Sequence, residues 1–119
     1  MRRLTLGVVC ALMLATTAGV MAQGKQDFTL VNKTGLVISE LYVSPSKADE
    51  WGEDVLGVDV LATGAKVAIS FHRAEKPCKW DIKIVDSDDD DIIWEGIDLC
   101  KASEITLKYE GKTPTAIIK

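Results

Sequence analysis

Five carboxylates fall within six residues, at Asp86, Asp88, Asp89, Asp90 and Asp91. Calcium takes roughly six to eight oxygen ligands at about 2.3–2.6 Å, and clustered Asp residues supply them. Like charges packed into one turn repel, so a cation would relieve the crowding. The spacing is not that of an EF-hand loop. Counted from Asp86, the sixth position is Asp91 rather than Gly, and the twelfth is Ile97 rather than Glu. If calcium binds here, Asp86, Asp88, Asp90 and Asp91 are the expected ligands. The alternative is a solvated acidic turn that keeps the end of a hairpin soluble.

A second group lies between Ser44 and Asp59. It holds Asp49, Glu50, Trp51, Glu53, Asp54 and Asp59, interrupted by Gly52 and Gly57. Irregular loops on a rigid sheet scaffold are where binding residues concentrate. Trp51 combines a large apolar body with a polar N–H and suits stacking or partner anchoring. Trp51, Glu53, Asp54 and Asp59 are the expected binding residues. In the structural alternative, Trp51 plugs an open end of the domain and the acids cap local turns.

Catalytic patterns are weak. His72 is the sole histidine, two residues from Ser70 on the polar face of a strand, with no nucleophile elbow around either. One histidine is too few for a His-based structural zinc site. There is no Gly-rich phosphate loop. Nothing places paired carboxylates across a cleft for glycoside hydrolysis.

The elements that position these groups start from Cys78 and Cys100. Two apolar runs between them flank the acidic turn, which reads as a β-hairpin closed by a disulfide. With Cys78 opposite Cys100, Ile84 falls opposite Trp94, Lys83 opposite Glu95, Val85 opposite Ile93 and Asp86 opposite Ile92. Aromatic–aliphatic and opposite-charge pairs of this kind stabilise antiparallel strands. Residues 87–91 are left for the turn.

Residues 1–22 have the pattern of an export signal: Arg2 and Arg3, an apolar run from Leu4 to about Leu14, and Val20-Met21-Ala22 before a cut ahead of Gln23. Cys10 lacks a lipoprotein box, and Arg2-Arg3 lacks the surrounding twin-arginine consensus. Removing 22 of the 119 residues leaves 97. Arg2 and Arg3 go with the signal, so 14 basic residues become 12 against 18 acids, a charge of −6. Cys10 also leaves, and the remaining pair suits an oxidising compartment. An acidic domain with scattered lysines is a poor nucleic-acid binder. No membrane insertion is expected after cleavage.

Residues 23–119 form one domain. Asp27–Asn32 alternates and reads as a strand, Asn32–Gly35 as a turn, and Leu36–Ser44 as a second strand pairing with the first. Asn32-Lys33-Thr34 matches the glycosylation pattern by chance. Pro45 ends the second strand. Ser46 with Asp49 three residues on predicts an N-cap and a short helical turn through Trp51. Asp59–Leu61 is a candidate short strand. Ala65–His72 alternates clearly, with Val67, Ile69 and Phe71 on one face. Glu104–Tyr109 is the last full strand, and residues 110–119 read as a tail whose Ala116–Ile118 could pair at an edge. Six to seven short strands predict an all-β, small antiparallel β-sandwich of immunoglobulin-like type, with a small open barrel as the alternative. The disulfide is expected to join neighbouring strands of one sheet.

The strings Leu41-Tyr42-Val43-Ser44-Pro45-Ser46, Asp49 through Gly57, Cys78-Lys79-Trp80-Asp81-Ile82-Lys83 and Asp98-Leu99-Cys100 are distinctive. Over about residues 28–109 the chain resembles a family of small exported bacterial β-proteins of unknown function. Some members carry an argininosuccinate lyase label. Such lyases are large, mostly helical, oligomeric cytoplasmic enzymes, so the resemblance implies fold and location rather than that chemistry.

The expectation is a monomeric, non-enzymatic binding module, periplasmic or extracellular, with a protein or glycan partner. No cofactor is expected apart from calcium at the acidic turn. A secreted structural or inhibitor domain without a ligand is the second reading, and a lyase or hydrolase ranks last.

Overall fold

Alternation of apolar and polar residues decides where the strands lie and which way they face. The structure is a computed structural model that describes residues 26–71 and 76–119. The expected export signal and His72 lie outside the described residues. Seven strands occur in chain order: β1 (Phe28–Lys33), β2 (Ile38–Pro45), β3 (Lys66–Ile69), β4 (Lys79–Asp86), β5 (Asp91–Asp98), β6 (Glu104–Glu110) and β7 (Thr113–Ile118). In β4 every second residue is buried, namely Trp80, Ile82, Ile84 and Asp86. That period of two turns one face to the core and one to solvent.

The strands form two sheets, ordered β3-β1-β6-β7 and β2-β4-β5. Phe28, Leu30, Ile69, Ile105 and Leu107 from the first face Ile38, Leu41, Ile82, Ile84 and Trp94 from the second. The domain is therefore an all-β sandwich with one core. The indole N–H of Trp94 crosses between sheets to the carbonyl of Thr115 at 2.7 Å. β1 and β6 run parallel, and the other pairings are antiparallel. Among the described residues, no helix is long and apolar enough to cross a membrane.

Five features differ from the sequence expectations, the fifth being the hairpin register. First, β1 and β2 do not form a hairpin. They lie in different sheets, and β2 pairs with β4. Asn32 redirects the chain. Its fully buried amide donates to the carbonyls of Leu36 and Leu61 at 2.9 and 3.0 Å and accepts from the N–H and hydroxyl of Thr34. This local network holds residues 32–36 as a crossing segment, not a hairpin turn.

Second, Ser46 caps no helix. Residues 46 and 47 form a turn, the hydroxyl of Ser46 donates to Asp81, and no helix occurs among the described residues. Third, residues 113–118 form a full strand on β6. Fourth, the Asp59–Leu61 segment contributes only a bridge between Leu61 and Ile38.

The disulfide joins Cys78, just before β4, to Cys100, just after β5. The hairpin between them has a different register from the one expected. Trp94 pairs with Ile82, Lys83 with Ile93, Ile84 with Ile92 and Val85 with Asp91. A bulge at Glu95-Gly96, opposite Asp81, shifts the strands. Gly96 takes φ +68°, which Gly adopts without the steric cost other residues bear. The Asp81 carboxylate accepts its N–H at 2.9 Å. The bulge lets both Trp94 and Ile97 face the core, three residues apart rather than two.

Replacing Asn32 with Leu leaves the buried Thr34 N–H without its acceptor and takes one of two donors from each of the Leu36 and Leu61 carbonyls, which keep the Thr34 hydroxyl and the Ile38 N–H. A buried polar group left without a partner costs about 1–3 kcal/mol. Urea unfolding of Asn32→Leu is expected to show a loss of about 3 kcal/mol. A loss under about 1 kcal/mol would contradict the role given to this side chain.

Candidate functional site

The outer face of the β2-β4-β5 sheet carries the site. Register places Tyr42 opposite Lys83 and Ser44 opposite Asp81. Across β4, Lys83 meets Ile93. Residues 46–54 then fold back over this face. Two carboxylates hold them there. Asp81 Oδ1 accepts from the Ser46 hydroxyl at 2.7 Å while also holding the Gly96 bulge. Asp54 Oδ1 accepts from the N–H of Leu41 at 2.9 Å and of Leu56 at 3.0 Å. Hydrogen bonds to a charged acceptor are worth roughly 1.5–3 kcal/mol each, about twice a neutral bond. The Gly52 N–H closes the loop on the Ser44 hydroxyl at 3.3 Å.

A pocket of about 230 Å³ lies between this loop and the sheet. Asp49 and Glu50 line it from the loop, Asp81 and Glu95 from the strands, and Trp51 and Ile93 provide apolar walls. Among the described residues, no basic residue lines it. Trp51 is half-buried, while Asp49, Glu50 and Glu95 are exposed. The Lys83 ammonium sits over the Tyr42 ring, 4.8 Å from its centroid, and 5.2 Å from the Trp51 centroid. Lys83 is therefore turned to the aromatic side of the sheet, not to Glu95.

The expected binding residues separate. Trp51 lines the pocket. Asp54 is a staple. Glu53 and Asp59 are exposed and do not line it; Asp59 follows the turn at 55–58, whose Val58 is fully exposed. Tyr42, Asp81, Lys83, Ile93 and Glu95 were not among the expected residues. Strand alternation marks them as outward-facing, but only the β2–β4 pairing brings them together.

In the acidic turn, Asp86 binds the backbone. Asp86 is 5% exposed, and its Oδ1 accepts the N–H of Asp88 at 2.8 Å and of Asp90 at 3.0 Å. It thereby stabilises its own turn, in which Asp89 takes φ +65°. Asp88, Asp90 and Asp91 point outward as exposed residues. Among the described residues, the His, Cys, Asp or Glu group with ligand atoms within 4.8 Å of one another is Cys78, Asp98 and Cys100. Its two sulfurs are joined in the disulfide.

No family model matches the chain, and no curated protein matches it. Among solved structures the chain is similar to an NMR structure of a protein from Eubacterium rectale. The TM-score is 0.56 at 13% identity, over 82% of this chain and 88% of that one. A likeness at that identity bears on the fold alone.

Tyr42 has a shifted acidity. Its hydroxyl donates to Glu40, and this bond, then burial and the charges of Glu40 and Asp54, raise its pKa above the ordinary 10.0. A folded-state pKa above the unfolded value gives stability that is whole below pH 10 and lost as pH rises through the folded pKa. Alkaline titration followed by near-ultraviolet absorbance is expected to show Tyr42 ionising late. Glu40→Gln should bring that ionisation down toward 10. An unchanged titration would contradict the Glu40 bond.

Proposed function

We propose that this chain is an exported binding module whose outer sheet face receives a basic side chain of a protein partner. One observation carries the reading: a pocket with four carboxylates and a Trp wall, and no basic residue lining it among the described residues. A Lys or Arg side chain has the matching form. Its charged head meets Asp49, Glu50, Asp81 and Glu95, and its apolar stem lies along Trp51 and Ile93. The net charge adds long-range attraction for a basic partner, which raises association rate more than affinity. The site is open to water, so each carboxylate keeps part of its hydration and the affinity is modest.

The other readings have less support. Calcium at the acidic turn would have to do without Asp86 Oδ1, which already accepts two amide protons. A purely structural domain would bury Trp51 and spread its acids. Here Trp51 is half-exposed, and acids from a loop and two strands converge beside it.

Calorimetric titration with a short lysine-rich peptide at low salt tests the proposal. Reversing charge with Glu50→Lys and Glu95→Lys together should weaken binding at least about tenfold, and raised salt should weaken it further. A neutral peptide of equal length should not bind. Peptide affinity unchanged by the reversal, or lost instead with Asp88→Asn and Asp90→Asn, would refute the assignment.

A further inference from the structure

Lys83 makes an unusual choice of neighbours. Its ammonium lies within about 6 Å of two ring centroids, the range in which a cation is attracted to an aromatic face. The ion pairs among the described residues are Lys108–Glu110 and Lys119–Glu104, and Lys83 is in neither. Yet carboxylates are near. Glu40 holds the Tyr42 hydroxyl, and Asp54 anchors the loop that carries Trp51. The cation thus rests against two aromatic walls with negative charge behind them. Tyr42 comes from β2 and Trp51 from the loop, so two separately anchored elements form the walls. Neither wall is deeply buried, and the long stem of Lys83 can swing its head back into water.

We propose that Tyr42 and Trp51 form a two-walled site for an alkylammonium group, with Lys83 as its resting occupant, displaced when such a ligand binds. The proposal rests on the reading of this face as cation-binding and narrows the class of cation. A primary ammonium such as that of Lys83 is compact and strongly hydrated, so it leaves water reluctantly. A trimethylammonium group holds its water more loosely and gains more from ring faces, which is the basis of aromatic-cage recognition. A resident occupant lowers apparent affinity by the fraction of time the site is filled. Removing it should therefore raise affinity for an external alkylammonium while leaving the fold intact.

The test is an NMR titration of the oxidised protein with choline, read at the Trp51 indole N–H, which is assigned by its loss in Trp51→Leu. Lys83→Gln should bind choline about tenfold more tightly than the unaltered chain. Tyr42→Leu, made in the Lys83→Gln background and read at the same signal, should abolish that gain. The neutral carbon analogue of choline, with tert-butyl in place of trimethylammonium, should not bind. Lys79→Gln removes an exposed lysine from the same strand and should change affinity less than about twofold.

Equal choline affinity with and without Lys83 would overturn the proposal. So would an equal gain in Lys79→Gln, which would show bulk charge alone, or equal binding of the neutral analogue, which would show a plain apolar cleft. The lysine-rich peptide separates this proposal from the reading beneath it. Peptide binding at the acidic pocket with no choline response removes the aromatic site and leaves the pocket. A choline response without peptide binding keeps the aromatic site and removes the basic-peptide reading.

Discussion

One buried side chain decides how the two sheets are connected. Asn32 ends the inward-facing series of β1, and its amide fills hydrogen bonds to residues 34, 36 and 61. Its backbone N–H takes the carbonyl of Ala65. Two stretches of chain, 32–36 and 61–65, are thereby held around one residue that has no access to water. A buried amide is tolerated only when its donors and acceptors are filled, and this one is. The chain then crosses to the other sheet, Ile38 pairs with Leu61, and β2 starts beside β4. Tyr42 meets Lys83 only because of that crossing.

The acids of this chain divide into staples and displayed charges. Asp54, Asp81, Asp86 and Asp98 each accept a backbone N–H, from Leu41, Gly96, Asp88 and Cys100 respectively, among others. Each fixes a turn, a bulge or a loop attachment. Among the described residues, Asp49, Glu50 and Glu95 take no hydrogen bond, and they converge on the pocket beside Trp51. Asp81 does both: Oδ1 is spent on Ser46 and Gly96, and the residue also lines the pocket. The loop is therefore rigid where it is attached and charged where it is open, the combination a preformed site needs.

Much of the fold was legible because strand alternation is a local signal. The inward faces of β1, β3, β4 and β6 follow from period two alone. The disulfide was legible from cysteine spacing and the apolar runs between the cysteines. The hairpin register was not. Cys78 and Cys100 lie outside the ladder, whose end pairs Lys79 with Asp98, one residue out of the expected register, and the Glu95-Gly96 bulge adds a second; no pairing rule in the sequence shows either step. The shift across the body of the hairpin is two residues, so the core face survived while Lys83 lost Glu95 and gained the rings. β2 was misplaced because adjacent strands usually pair, and here the Asn32 network overrides that preference. Trp51 was found by residue type, whereas bringing Tyr42, Asp81 and Glu95 together required the non-local pairing of β2 with β4, which itself pairs with β5. The acids at 53, 54 and 59 were grouped by proximity in sequence, but Asp54 turns inward to the backbone.

We propose that the outer face of the three-stranded sheet, not the acidic turn, receives a cation-bearing ligand. The most direct measurement maps backbone amide shifts of the isotopically labelled protein while N-acetyl-lysine methylamide is added. The largest shifts are expected at Ser44, Gly52, Trp51, Ile93 and Glu95, with the Asp88–Asp91 amides unmoved. Shifts confined to Asp88–Asp91, or spread evenly over exposed carboxylates, would contradict this assignment.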